Sequence, residues 1–346
     1  MHAASRDGCF IGSSAHVRRP NGAMLSAMWR RRAVQALIPV YILLIGGSAI
    51  VVAMAPILLV HKLVVQCALA AAAPATFTIA YVLVAGGLSR LSLRAMVAGR
   101  FPRDLQHPVY GPRRLYGVCW TAIYYFPLLY HAVLATPGLK RLTFRLFGYR
   151  GSLDFATYPD TWLRDLPLVT FGAGCYLSNK ATISPNMCLN NGKILIAPVS
   201  IGAQSMVGHA AQIGPGATVG AYAVIGHGSL IAPNVRLGEG ADVGVAAAIG
   251  VGVRIGDGAH IGHCVTVEHG SMIGSRCDVG SRAYVGQKTV IHDGVRIPPG
   301  AVIPGRLVLR TQADVDALLE IRRPTFTPRP SSATHPVLVT SMASPE

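Results

Sequence analysis

Residues 249–274, IGVGVRIGDGAHIGHCVTVEHGSMIG, decide the fold. An aliphatic residue returns every six positions, at Ile249, Ile255, Ile261, Val267 and Ile273, usually with glycine behind it. Followed outward, the phase holds from Phe171 to Ile303. All 23 positions on this step are apolar, glycine follows directly at 14, and four residues on stands Ala, Ser, Thr, Val or Cys in 20 of the 22 complete hexads. Met187 and Lys193 are the two exceptions. One large and one small inward side chain per hexad make short parallel strands that turn after each hexad, three hexads closing a triangular coil. The pattern therefore predicts an all-β parallel β-helix over 166–305, with about 7.7 coils and a length of roughly 37 Å at ~4.8 Å per coil. Each buried aliphatic contributes on the order of 1.5–3 kcal/mol, enough to stabilise a coil with little other core. The glycines read as corner residues, chosen for their backbone freedom.

The upstream half has a different character. The chain of 346 residues is 51% hydrophobic, with mean hydropathy +0.43 and net charge +16. Residues 1–150 carry 17 basic and 2 acidic side chains, whereas 151–346 carry 14 and 13. The basic charge therefore flanks apolar segments rather than forming a stripe interleaved with aromatics, which excludes a nucleic-acid partner and points to a lipid bilayer. Between 33 and 89 the only formal charge is Lys62. It divides the stretch into 33–60 and 63–88, each longer than the ~20 residues that cross ~30 Å of hydrocarbon. The reading is a two-helix transmembrane hairpin over 33–89, preceded by a disordered basic N-terminus at 1–32. Arg30, Arg31 and Arg32 before the hairpin and Arg90, Arg94, Arg100 and Arg103 after it put both ends in the cytoplasm.

Residues 90–165 read as an interfacial or re-entrant helical connector. Its apolar stretch 115–139 is aromatic-rich, broken by Pro127 and basic at both ends. Such rings suit the headgroup level. Leu139, Leu142, Leu146 and Phe147 form one helical face opposite Lys140, Arg141 and Arg145, which fits a helix lying on the membrane or one packed on the next domain. After the β-helix, 306–346 reads as a short helix over 312–322, capped by Thr311, and a disordered tail. The seven cysteines include no CxxC pair and suggest no disulfide framework.

The [LIV]-G-x4 pattern over 171–303 resembles the left-handed β-helix of the bacterial hexapeptide-repeat transferases. More loosely, ATPGLKRLTFRLFGYRG and TWLRDLPLVTFG, with the apolar spans before them, resemble the membrane-embedded C-terminal region of polylysine-synthetase-type nonribosomal peptide synthetases. The first resemblance implies a homotrimer with sites between adjacent prisms. It also implies acyl transfer from acetyl-CoA, another acyl-CoA or a carrier protein to a hydroxyl or amine, with no metal. HIGHC, 260–264, is similar to the His-Ile-Ala-His-Asp-Cys motif of the lipid A sugar acyltransferases, and that likeness implies a general-base role for His263.

Position within the hexad sorts the remaining candidates. His209, His227 and His263 each lie two residues after the large aliphatic, at a corner, and stack on one edge. The repeat puts Asn191 one coil before His209, Val245 in the gap and Ser281 after His263. A second edge carries Glu239, Asp257, Ser275 and Asp293, and in a trimer it would meet the histidine edge of a neighbour. A histidine near neutral pKa suits a general base, so His209 and His227 join His263 as catalytic candidates. Lys193 occupies a small inward position, where an unpaired ammonium is costly. LNNGKIL, 189–195, therefore reads as an irregular turn in which Asn190 or Asn191 contacts the acceptor, or as an ordinary Asn-Gly turn with Lys193 outside. Arg276, Arg282 and Lys288, at six-residue intervals, are candidates for donor phosphates, or are solvated surface.

Three functions fit these residues. The first is a membrane-tethered acyltransferase at a bacterial inner membrane, its β-helix on the cytoplasmic side, acting on an envelope glycoconjugate, lipid-linked sugar or peptide. The second is a non-catalytic scaffold of a peptide or polysaccharide assembly system, favoured by the apparent lack of a long loop within 171–303. The third is a carbonic-anhydrase-like zinc hydrolase using His263 and His269, whose spacing is one residue longer than that family's H-x4-H.

Overall fold

The computed structural model describes residues 22–321. The expectations for 1–21 and for the tail from 322 lie outside the described residues. Helix α1, Gly22–Leu59, and helix α2, Leu63–Arg90, form the hairpin. Two helices, Arg31–Leu59 and Leu63–Arg90, are long and apolar enough to cross a membrane. Helix α1 starts well before residue 33, correcting the disordered reading of 22–32. Met24, Leu25, Met28 and Arg30 to Arg32 are good helix formers, and no proline interrupts them.

The connector holds α3 (Tyr110–Tyr124), α4 (Pro127–Ala135) and α5 (Pro137–Leu146), with 84° between α3 and α4. Some of its aromatics are turned into the protein. Tyr116, Trp120 and Tyr130 are buried. Trp120 Nε1 donates to Leu163 O at 2.7 Å, and Tyr116 Oη donates to Phe147 O at 2.9 Å, so their polar tips are satisfied inside the protein. The α5 face divides. Phe144 and Phe147 pack with Trp120 at the start of the β-helix, while Leu139 and Leu142 line an apolar cleft of about 990 Å³ facing Phe77, Phe126 and Leu129.

The second half is a parallel β-helix of three eight-stranded sheets. The first runs from Phe155–Thr157 to Arg296–Ile297, the second from Trp162–Leu163 to Val302–Ile303, and the third from Val169–Phe171 to Val308–Leu309. The solenoid thus extends beyond 166–305 at both ends. Its first coil escapes the six-residue step because Phe155 pairs with Cys175, twenty residues on, and Leu163 with Ile183. From Ile201 onward the ladder advances by eighteen, as in Asp242 to His260. Helix α6, Gln312–Ile321, closes the far end: the Gln312 side chain accepts from Arg296 N and donates to Arg296 O, taking up the open edge of the last strand of the first sheet.

One coil is not what the hexads imply. Phe171 pairs with Ile201 and Leu177 with Val207, thirty residues apart, so two hexads leave the coil without disturbing the phase. Asn186–Cys188 and Lys193–Ile196 form an antiparallel hairpin that continues onto Gly99–Pro102 of the connector. The exceptions Met187 and Lys193 lie in this hairpin, and both are exposed. At its base, the Asp165 carboxylate accepts from the Arg113 guanidinium of α3 and from Asn186 Nδ2, all three buried or partly so. Connector, coil and excursion are therefore locked at one point.

Corner geometry also revises the role of glycine. The left-handed residue of each corner is the third after the aliphatic, and it includes Ala210, Ala246 and Cys264 as well as glycines. The glycine directly after the aliphatic is needed for closeness. A Cβ on Gly226 would lie 2.5 Å from the carbonyl carbon of Gly244 in the next coil.

Candidate functional site

The corner between the first and second sheets carries, coil by coil, Asn179, His209, His227, Val245, His263 and Ser281. Asn179 replaces Asn191 below His209, with Ala210 N donating to Asn179 O at 3.0 Å, because the excursion removes Asn191 from this edge. Glu239, Asp257, Ser275 and Asp293 form the corner between the third and first sheets.

At five positions on these two corners a backbone N–H donates to the side chain one coil further on. His209 N donates to His227 Nδ1 at 2.8 Å, Val245 N to His263 Nδ1 at 2.9 Å, and His263 N to Ser281 Oγ at 3.1 Å. The acidic corner uses the same device, with Glu239 N on Asp257 Oδ1 and Ser275 N on Asp293 Oδ1, both at 2.8 Å. An Nδ1 that accepts has no proton, so neutral His227 and His263 carry theirs on Nε2 and present a donor outward. His263 can take a proton only at Nδ1, and that breaks its bond to Val245.

His260, the first histidine of HIGHC, has the opposite arrangement. It projects from the outer face of the first sheet, in register with Asp242 on one side and Asp278 on the other. Its Nδ1 lies 3.0 Å from Asp242 Oδ2. A carboxylate only accepts, so Nδ1 is the protonated nitrogen and Nε2 keeps a free lone pair. With side chains 50% and 48% exposed, the pair is open to a substrate. The sequence did contain the signal, a carboxylate one coil earlier at the same outward position.

The other candidates separate. Arg276, Arg282 and Lys288 occupy three different edges, because six residues advance the chain by one side of the triangle. They do not converge on one phosphate within a chain. Asn190 and Asn191 sit at the hairpin tip, where Asn191 Oδ1 accepts from Lys193 N at 3.1 Å and Gly192 takes a positive φ of 73°. Lys193 is outside, as the Asn-Gly turn alternative has it. The excursion also removes the argument for a scaffold that rested on an unbroken coil. His263 and His269 are on different edges, and among the described residues no three His, Cys, Asp or Glu side chains gather as a metal site.

No protein-family model matches the chain, and no curated protein does. Several solved structures are similar to it. The acetyltransferase domain of PglB from Neisseria gonorrhoeae, in complex with acetyl coenzyme A, is 17% identical over 47% of this chain and 62% of that one, with a TM-score of 0.29. A UDP-N-acetylglucosamine acyltransferase is 16% identical over 53% and 84%, with a TM-score of 0.36. Perosamine N-acetyltransferase from Caulobacter crescentus, in complex with CoA and GDP-perosamine, is 18% identical over 50% and 61%, with a TM-score of 0.18. The chain thus spans less than two thirds of the first and last of these. By its own architecture it is a hexad-repeat parallel β-helix carried on a helical hairpin of membrane-spanning character.

Proposed function

We propose that the protein is a membrane-tethered acyltransferase. It moves an acyl group, acetyl in the simplest case, from CoA to a hydroxyl or amine of an envelope glycoconjugate, lipid-linked sugar or peptide. The observation that carries this reading is the His260 to Asp242 contact of 3.0 Å on an open sheet face. Asp242 holds the ring so that Nε2 faces outward as a base. Nε2 takes the acceptor's proton as its oxygen or nitrogen bonds to the thioester carbonyl carbon. The C–S bond then breaks, and the proton passes from Nε2 to the departing CoA thiolate. The Nε2–H donors of His263 and His227 line the adjoining edge, where they can hold the carbonyl oxygen as it gains charge. The chain works as a homotrimer whose acidic corners face these edges, at the inner membrane, with the β-helix in the cytoplasm.

Thermal unfolding of the detergent-solubilised protein with acetyl-CoA, against an adenine nucleotide control, tests donor binding. At a hundred times the dissociation constant, a native-state ligand adds about 2.7 kcal/mol. A shift with acetyl-CoA alone supports the reading, and equal shifts with both count against it.

A further inference from the structure

A second polar site lies away from the histidines, where the hairpin meets the connector. Arg31 and Gln35 of α1, Arg103 and Asp104 after the strand Gly99–Pro102, and Tyr110 and Arg114 of α3 surround a cleft of about 400 Å³. Three guanidiniums from three segments face one space. Among the described residues none of them has an ion pair, and the carboxylate in the wall, Asp104, already accepts the Gln106 N–H at 3.1 Å. The cleft is held open by packing. A Cβ on Gly111 would lie 2.8 Å from Leu105 O, so α3 and the Arg103–Leu105 turn touch through backbone.

Its height is fixed by α1. Arg31 begins the apolar span Arg31–Leu59, and Trp29 beside it has Arg32 5.8 Å from its ring centroid, an arrangement suited to the headgroup layer. The hairpin tip comes to the same place: Arg103 N donates to Gly192 O at 3.3 Å, and Lys193 pairs with Pro102. Asn190, Asn191 and Lys193 thus stand in the turn and strand that pair with the Arg103 segment.

We propose that Arg31, Arg103 and Arg114 bind a phosphate monoester or pyrophosphate ester at the membrane surface. Guanidinium forks match phosphate oxygens two at a time, and three without an ion pair, Arg103 bonded only to the Tyr110 hydroxyl of the same wall, leave a surplus of positive charge that an anion of two or more charges would neutralise. The group can belong to a lipid headgroup or to a soluble phosphate, and this site does not depend on the acyltransferase reading.

The test is calorimetric titration of the full chain in neutral detergent. One arm uses sodium pyrophosphate. The other uses short-chain phosphatidic acid, with phosphatidylcholine of the same chains as reference. Binding of pyrophosphate assigns the site to soluble esters, and binding of phosphatidic acid alone assigns it to headgroups. In either case Arg103→Gln with Arg114→Gln weakens the binding by about tenfold or more, while Arg94→Gln with Arg100→Gln, exposed arginines outside the cleft, leaves it within about twofold. Because the glutamine pair could unfold the connector, Arg103→Lys with Arg114→Lys is measured too, and it gives an intermediate affinity. Absence of binding in both arms, or an equal loss in the Arg94 and Arg100 pair, overturns the proposal.

Discussion

Arg113 of α3 and Asp165, 52 residues later, form an ion pair whose side chains are 6% and 3% exposed, where the connector meets the first coil. The same carboxylate holds Asn186 at the base of the excursion. Removing one member leaves the other charge buried. Asp165→Ala should therefore destabilise the junction by about 3–5 kcal/mol, read as a lowered unfolding midpoint in detergent. A midpoint within a degree of wild type would show that solvent reaches Arg113.

Close backbone packing and positive φ act at different corner positions. Gly226→Ala drives a methyl against the Gly244 carbonyl and should cost about 1–3 kcal/mol or more. Ala246, at φ 55°, bears a left-handed penalty of about 1–2 kcal/mol, partly offset in the glycine variant by chain entropy of about 0.5–1 kcal/mol. Ala246→Gly should thus raise the midpoint slightly. Equal effects of the two substitutions, measured by circular dichroism, would contradict this division.

The buried thiols set an alkaline limit. Burial pushes the Cys175 thiol up to about 12 from an ordinary 9.0. Between these values the unfolded chain loses the proton and the native one keeps it, so stability falls as pH rises, by up to about 1.4 kcal/mol per pH unit from this group. Below 9 it has no effect. Iodoacetamide at pH 8 should label the exposed Cys264 and Cys188 and spare Cys175. Labelling of Cys175 at a comparable rate, followed by peptide mass spectrometry, would show that this coil opens.

At the histidine corner, Ser281 accepts the His263 N–H as His263 accepts that of Val245. His263→Ser should keep most of the native stability, and His263→Ala should lose about 1 kcal/mol. Nitrogen-15 spectra of the wild type should show the His263 proton on Nε2. A proton on Nδ1 at neutral pH would mean that this corner bond is absent.

The solenoid was legible because burial of one aliphatic per hexad leaves no freedom in the pattern. Of the periodic positions, all but Leu189 and Leu195 are stacked and buried. Those two belong to an excursion of two whole hexads, which preserves phase and hides in periodicity; only Met187 and Lys193, unsuited to the small inward position, betray it. The same loop removed Asn191 from the histidine edge. The edge itself was legible because corners recur with the coil. Which ring nitrogen is free was not, since it depends on partners one coil away: a backbone N–H for His263 and a carboxylate for His260. In the aromatic connector, the partners of Trp120 and Tyr116 were not legible, since they are carbonyls brought close by folding: Leu163 O in the first coil and Phe147 O at the end of α5.

The central claim is that His260, held by Asp242, is the base of an acyl transfer. Membranes from cells expressing the chain would be incubated with acetyl-CoA labelled in the acetyl group, and label appearing in lipid, glycan and peptide fractions counted. The account predicts incorporation with wild type, a fall of about 10²–10⁴-fold in His260→Ala, a partial fall in Asp242→Asn, and a fall of up to about 10²-fold in His263→Ser, which removes one donor to the carbonyl oxygen. Incorporation that survives His260→Ala undiminished, or that never exceeds membranes lacking the protein, would contradict it.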